Sequence, residues 1–162
     1  MRTLFTNVNI LDCSGAAPFR GEVLVERDLI AGVAPAGVAI SRFGAVVVDG
    51  GGSTLMPGLI EAHSHLTFTD VANSVELGFI PPEEHMLLTA RNARRMLDAG
   101  FTSCFSAASA KPRLDIALRD AIDGGDLPGP RTLVASPEMS VTSGLGDVRL
   151  LHMYREFFGV VC

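Results

Sequence analysis

Two of the chain's four histidines, His63 and His65, stand one residue apart in the stretch PGLIEAHSHL, Pro57 to Leu66. A β-strand sends alternate side chains to the same face. If Leu59 to Leu66 is extended, both imidazoles therefore face one point, while Ala62 and Ser64 face the other way. Imidazole is the commonest metal ligand among side chains. A zinc-type ion holds its nitrogens at about 2.0 to 2.1 Å, within reach of same-face neighbours on a strand. The spacing suits a metal pair. It equally suits two unrelated histidines on a half-exposed strand, and His-x-His by itself does not separate the two.

The surroundings of that stretch have to decide, and length and composition bound them first. A chain of 162 residues, 48% hydrophobic and 19% charged, is globular in composition and long enough to bury a core. Its net charge is -5, and no basic run exceeds the Arg94-Arg95 pair, which argues against a nucleic-acid partner. The segment MRTLFTNVNILDCSG is interrupted by Thr3, Asn7, Asn9 and Asp12 and lacks the apolar run of a secretory signal. No stretch approaches the ~20 apolar residues of a membrane span, so a soluble, cytoplasmic protein is expected. Cys13, Cys104 and Cys162 are odd in number and widely spaced, which fits reduced thiols rather than disulfides or a zinc knuckle.

The elements that would position the histidines fall into two regimes that meet near Pro57. Before it, short runs rich in Val, Ile and Phe alternate with Gly, Pro, Ser and Asp: Thr3 to Leu11, Gly21 to Glu26, Leu29 to Ala34 and Ala45 to Asp49. None shows a 3.6-residue period, so residues 1–56 read as a small β unit. Gly50-Gly51-Gly52 and Pro57-Gly58 then deliver the chain into the His-Ser-His strand.

After that strand the period lengthens. Pro81-Pro82-Glu83-Glu84 reads as a helix start, with Met86, Ala90, Ala93 and Leu97 on one stripe and Gly100 as the stop. Phe101 to Ala107 reads as a strand. A helix opens at Pro112, carries Leu114, Ala117, Leu118, Ala121 and Ile122 on one face and closes at Gly124-Gly125; Arg131 to Ser136 reads as another strand. Strands alternating with helices over short connections indicate a parallel sheet with helical crossovers, in which ligands gather at the carboxyl ends of the strands. His63 and His65 lie at that end of the first strand.

A β-rich start, a Gly-Gly run, and then "LMPGLIEAHSHL", "ARRMLDAGFTS" and "GPRTLVAS" together resemble the amidohydrolase superfamily, on the branch of imidazolonepropionase-like enzymes and prolidase-like peptidases. The resemblance spans nearly the whole chain. It implies an α/β fold: an N-terminal β-sandwich segment over residues 1–56, then residues 57–162 as the first three β/α units of an incomplete TIM-type (β/α)8 barrel. It implies one or two divalent ions, usually zinc, with His63 and His65 as the first two ligands. The activity implied is hydrolysis of a C–N bond in a small-molecule substrate by metal-activated water. In family terms the proton-shuttle aspartate, a bridging lysine or glutamate and two more histidines come from later strands. A full barrel needs about 250 residues, so these groups are expected beyond Cys162, and the chain is expected to be the N-terminal part of a longer enzyme, inactive alone. The alternatives are a truncated chain acting as a binding or regulatory subunit, and a nonfunctional gene remnant. A homo-oligomer of the full-length protein is compatible with all of this.

Some positions depart from the family pattern. Glu61 stands where many relatives have Asp, and is long enough to orient a ligand from behind. In "MSVTSGLGD", Leu145 takes the place of a histidine. The "GFTSCFSAAS" segment lacks the Arg-Asp of the branch, leaving Ser106, Ser109 and Lys111 as the polar groups after that strand. Cys104 reads as a small core side chain. Glu138 and Asp147 read as solvated loop acids, and His85 and His152 as surface or packing histidines on helices rather than ligands.

Overall fold

The computed structural model describes residues 1–135, 137–142 and 144. The chain divides into two compact units, Met1–Pro57 and Gly58–Cys162. The fold is mixed α/β.

In the first unit, β1 (Arg2–Ile10) pairs antiparallel with β2 (Phe19–Glu26), which pairs antiparallel with β3 (Leu29–Pro35). On its other side β1 takes two short parallel partners, β4 (Val46–Asp49) and β5 (Thr54–Leu55). The result is one five-stranded sheet with β1 inside it. Alternation explains the core: Leu4, Thr6, Val8 and Ile10 are buried while their neighbours are less so, and Val8, Ile10 and Val23 pack together under Phe5, Phe19, Val25 and Leu55. The register of β1 against β2 shifts between Phe5 and Val8, where Asn7 adopts φ 51°. That bulge re-aims Asn7, whose amide accepts from Arg20 and donates to Asp49.

The second unit begins with β6 (Leu59–Ser64), followed by a short helix α1 (Glu76–Phe79), the long helix α2 (Pro82–Asp98), β7 (Phe101–Ser106), α3 (Leu114–Asp123) and β8 (Arg131–Leu133). The three strands form a parallel sheet in the order β6-β7-β8, with α2 packed on β7 and on α3, and α3 on β8. Parallel neighbours require such crossovers, and the sequence supplies them. Helix α2 starts on Pro82 with Glu83 and Glu84 in its first turn, where the missing N–H costs nothing and acids meet the positive end of the dipole. It stops where Gly100, at φ +93°, turns the chain and donates its N–H to Leu97.

Leu66, Ala93, Cys104 and Leu118 form the buried centre of this unit, with Met86, Ala90, Met96, Ile122 and Leu127 around them. Cys104 is buried in an apolar strand, its sulfur 3.4 Å from Thr132 Oγ1. The helical stripe is partly polar: beside Ala93, the fully buried residues of α2 are His85 and Thr89. The register partners Phe105 and Leu133 remain exposed, as does Ile60 at 74%, so part of the sheet carries apolar groups facing solvent. No helix among the described residues is long and apolar enough to cross a membrane.

Candidate metal centre

Strand β6 ends at Ser64 rather than running on to Leu66, so His63 is the strand's penultimate residue and His65 the first beyond it. The chain turns there, with the Phe68 N–H donating to His65 O at 2.9 Å. Ser64, between the two histidines, is buried and donates its hydroxyl to Phe105 O of the neighbouring strand at 2.9 Å, which fixes its side chain inward. The imidazoles on either side of it, His63 in the strand and His65 just beyond it, come close to one another. Their ring centroids lie 5.1 Å apart at an interplanar angle of 76°, with His63 exposed and His65 half-buried. The ring of His65 stacks on Phe68 at 4.5 Å and 24°, and its Nδ1 is buried without a hydrogen-bond partner.

Two imidazoles this close suit a borderline cation as joint nitrogen donors. No group of three or more His, Cys, Asp or Glu residues placed to hold an ion occurs among the described residues, so these supply a pair rather than a full ligand set. Glu61 accepts the backbone N–H of His63 on Oε1 at 3.0 Å, and so braces the strand rather than an imidazole ring.

The polar residues at the end of β7 and after it are committed elsewhere. Ser106 is fully buried and donates to Asp115 Oδ2 at 3.2 Å; Ser109 donates to Lys111 O at 2.6 Å. Lys111 is itself buried and donates to Leu77 O, tying the loop after β7 to α1. Burial lowers its ammonium pKa. Glu138 is exposed, whereas Leu145, Asp147 and His152 lie outside the described residues.

His85 is fully buried, a packing residue with a specific partner: its Nε2 lies 2.6 Å from Thr67 O. A carbonyl only accepts, so Nε2 carries the proton and Nδ1 is left a lone pair. Burial lowers the pKa of this imidazole, the Lys111 charge lowers it further, and the bond to Thr67 opposes both. Seven residues on, Asn92 donates from Nδ2 to Leu66 O at 3.0 Å and to Phe68 O at 3.2 Å. Sequence reasoning passed over Asn92 and Thr89. The available signal was a polar line, His85, Thr89, Asn92, running at helical spacing beside the apolar Met86, Ala90 and Ala93.

A model of the amidohydrolase family matches residues 54–155, well over half of the chain. The chain belongs to the amidohydrolase family. The match takes in β6, the histidine pair and all three parallel strands. Among curated proteins, a dihydroorotase of Leifsonia xyli subsp. xyli is 32% identical over 119 residues, spanning 72% of this chain and 24% of that protein. Two solved structures resemble it over nearly its whole length. One is an amidohydrolase, 28% identical with a TM-score of 0.78 over 96% of this chain and 37% of its own. The other is a prolidase complexed with N-methylphosphonate-L-proline, 26% identical with a TM-score of 0.79 over 95% and 36%. The chain thus spans about a quarter of the dihydroorotase and little more than a third of the two solved structures.

Proposed function

We propose that this chain carries the first two metal ligands, His63 and His65, of a metal-dependent hydrolase that cleaves a C–N bond of an amide, cyclic amide or peptide-like small molecule. The observation that carries the reading is the 5.1 Å approach of the two imidazoles at the carboxyl end of the first parallel strand, in a chain of the amidohydrolase family. In parallel β/α architectures that end is where ligands and catalytic groups collect.

In this reading β6, β7 and β8, with their helices, are the first units of a (β/α)8 barrel. The sheet of residues 1–56 is one part of a β-sandwich, and residues 57–162 belong to the catalytic domain. In the same reading the setting is cytoplasmic, the ion is zinc, one or two per site, and the full-length protein is a homo-oligomer. When bound, such an ion lowers the pKa of its water to about 7 and polarises the carbonyl to be attacked. The work of this chain is to present two nitrogen lone pairs in fixed directions. Ser64 anchors the strand between them, Glu61 braces the backbone of His63, and Phe68 sets the plane of the His65 ring. The proton-shuttle carboxylate is expected on a later strand.

Metal analysis of the full-length protein, with hydrolysis of Xaa-Pro dipeptides and cyclic amides, tests the reading. Stoichiometric zinc lost in His63→Ala and His65→Ala, with hydrolysis lost in step, is the expected result. Full metal content in both variants would sink it.

A further inference from the structure

The turn that follows His65 is held by its backbone. Three consecutive carbonyls, those of Leu66, Thr67 and Phe68, are each taken by a side chain of helix α2: Asn92 Nδ2 reaches the first and third at 3.0 and 3.2 Å, and His85 Nε2 takes the middle one at 2.6 Å. The two donors are seven residues apart, two helical turns on one face, so a single rigid element sets all three contacts. The Thr67 hydroxyl accepts the Ala110 N–H at 2.7 Å, pinning the turn to the loop after β7 as well. Phe68, whose backbone carbonyl is held in this way, carries the ring on which His65 stacks.

We propose that Asn92 is a positioning residue for the metal pair: by gripping the carbonyls on both sides of Thr67 it fixes Phe68, and through Phe68 it fixes the orientation of the His65 imidazole. The proposal rests on the reading of His65 as a ligand. Without the grip, the turn keeps its Phe68 N–H bond to His65 O, but the stacked ring is free to tilt, and an imidazole that must be reordered on binding gives up affinity. Residues that orient ligands from behind typically change metal affinity by 10- to 100-fold, and an indirect one belongs at the low end.

The test is Asn92→Asp in the full-length protein, a change that keeps the shape but sets an acceptor against two carbonyls. Co(II) is the probe, read by its visible absorption, and affinity is read by competition with a chromogenic chelator. The expected result is affinity about tenfold weaker than wild type, with an altered Co(II) spectrum. Thr89→Ala, on the same helix and bonded only to His85 O among the described contacts, is the control: it lowers the metal-free melting temperature but leaves Co(II) affinity and spectrum unchanged. Should Asn92→Asp fail to fold, Phe68→Leu asks the same question of the stacked ring, with the same weakening expected. Wild-type affinity and spectrum in whichever of these two variants folds would overturn the proposal and leave Asn92 purely structural. Retention of Co(II) by His65→Ala would instead overturn the metal reading itself, and this proposal with it.

Discussion

Gly58 lies so close against Thr102 that a Cβ built on it would stand 2.1 Å from Thr102 Oγ1 and 2.6 Å from Thr102 Cβ. The contact is at the entry of β6, where Leu59 pairs with Phe101 and the Leu59 N–H bonds Gly100 O. Gly58→Ala must therefore push β6 away from β7. Overpacking of this kind costs about 1–3 kcal/mol. Chemical denaturation should show that loss for the single variant and its partial recovery in Gly58→Ala/Thr102→Gly, since the obstacle is the Thr102 side chain. Equal stability of wild type and Gly58→Ala would contradict the packing described.

Acid should weaken the second unit through His85. Its pKa is lowered in the folded state by burial and by Lys111, so below the ordinary value of 6.5 the unfolded chain binds more protons than the folded one. The stability that depends on a neutral imidazole is present above about 6.5 and is lost as pH falls below it. Melting temperatures from pH 8 to pH 5 should fall more steeply for wild type than for His85→Gln, which can still donate to Thr67 O. Parallel curves would remove His85 from the account.

Lys111 acts at the other end of the scale. Burial depresses its pKa, so between that value and the ordinary 10.5 the unfolded state again holds more protons, and stability from this group rises with pH. Lys111→Met removes the titration. The difference in unfolding free energy between wild type and Lys111→Met should move in favour of wild type from pH 7 to pH 10; a constant difference would show that the amine is not buried.

Leu118 is fully buried at the centre of the α3 packing with Leu66, Ala93 and Cys104. Leu118→Ala should cost about 2–5 kcal/mol, the range for large-to-small changes in a close-packed core. A loss below about 1 kcal/mol would mean that the site collapses around the smaller side chain or is wetter than its burial indicates.

Much of this architecture is legible in the residues. Pro82 and Gly100 bracket α2 because one tolerates a missing N–H and the other a positive φ, both local properties of the residue. The His-x-His spacing likewise points to two imidazoles near one another, and their rings lie 5.1 Å apart although His65 falls just past the end of the strand. The rest depends on backbone contacts and on elements too short to leave a pattern. That β6 stops at Ser64 follows from the turn closed by Phe68, and the short pieces α1 and β5 carry too few residues to show a period. The burial of His85, Thr89 and Lys111 ran against their polarity. Each is satisfied by a backbone carbonyl, of Thr67, His85 or Leu77, and carbonyls are invisible to a reading of side-chain types. The grip of Asn92 on Leu66 and Phe68 escaped notice for the same reason.

The parallel pairing of β6 with β7 also sets an order of events during synthesis. In the first unit β1 meets β2 within a few tens of residues, and its antiparallel ladder can close early. Leu59 must wait for Phe101, and at 5–20 residues per second the delay on the ribosome is roughly 2 to 8 s. Throughout that interval β6, with His63 in it and His65 just past its end, has no neighbouring strand to hydrogen-bond, which makes it a natural stretch for a chaperone to hold until α2 and β7 emerge.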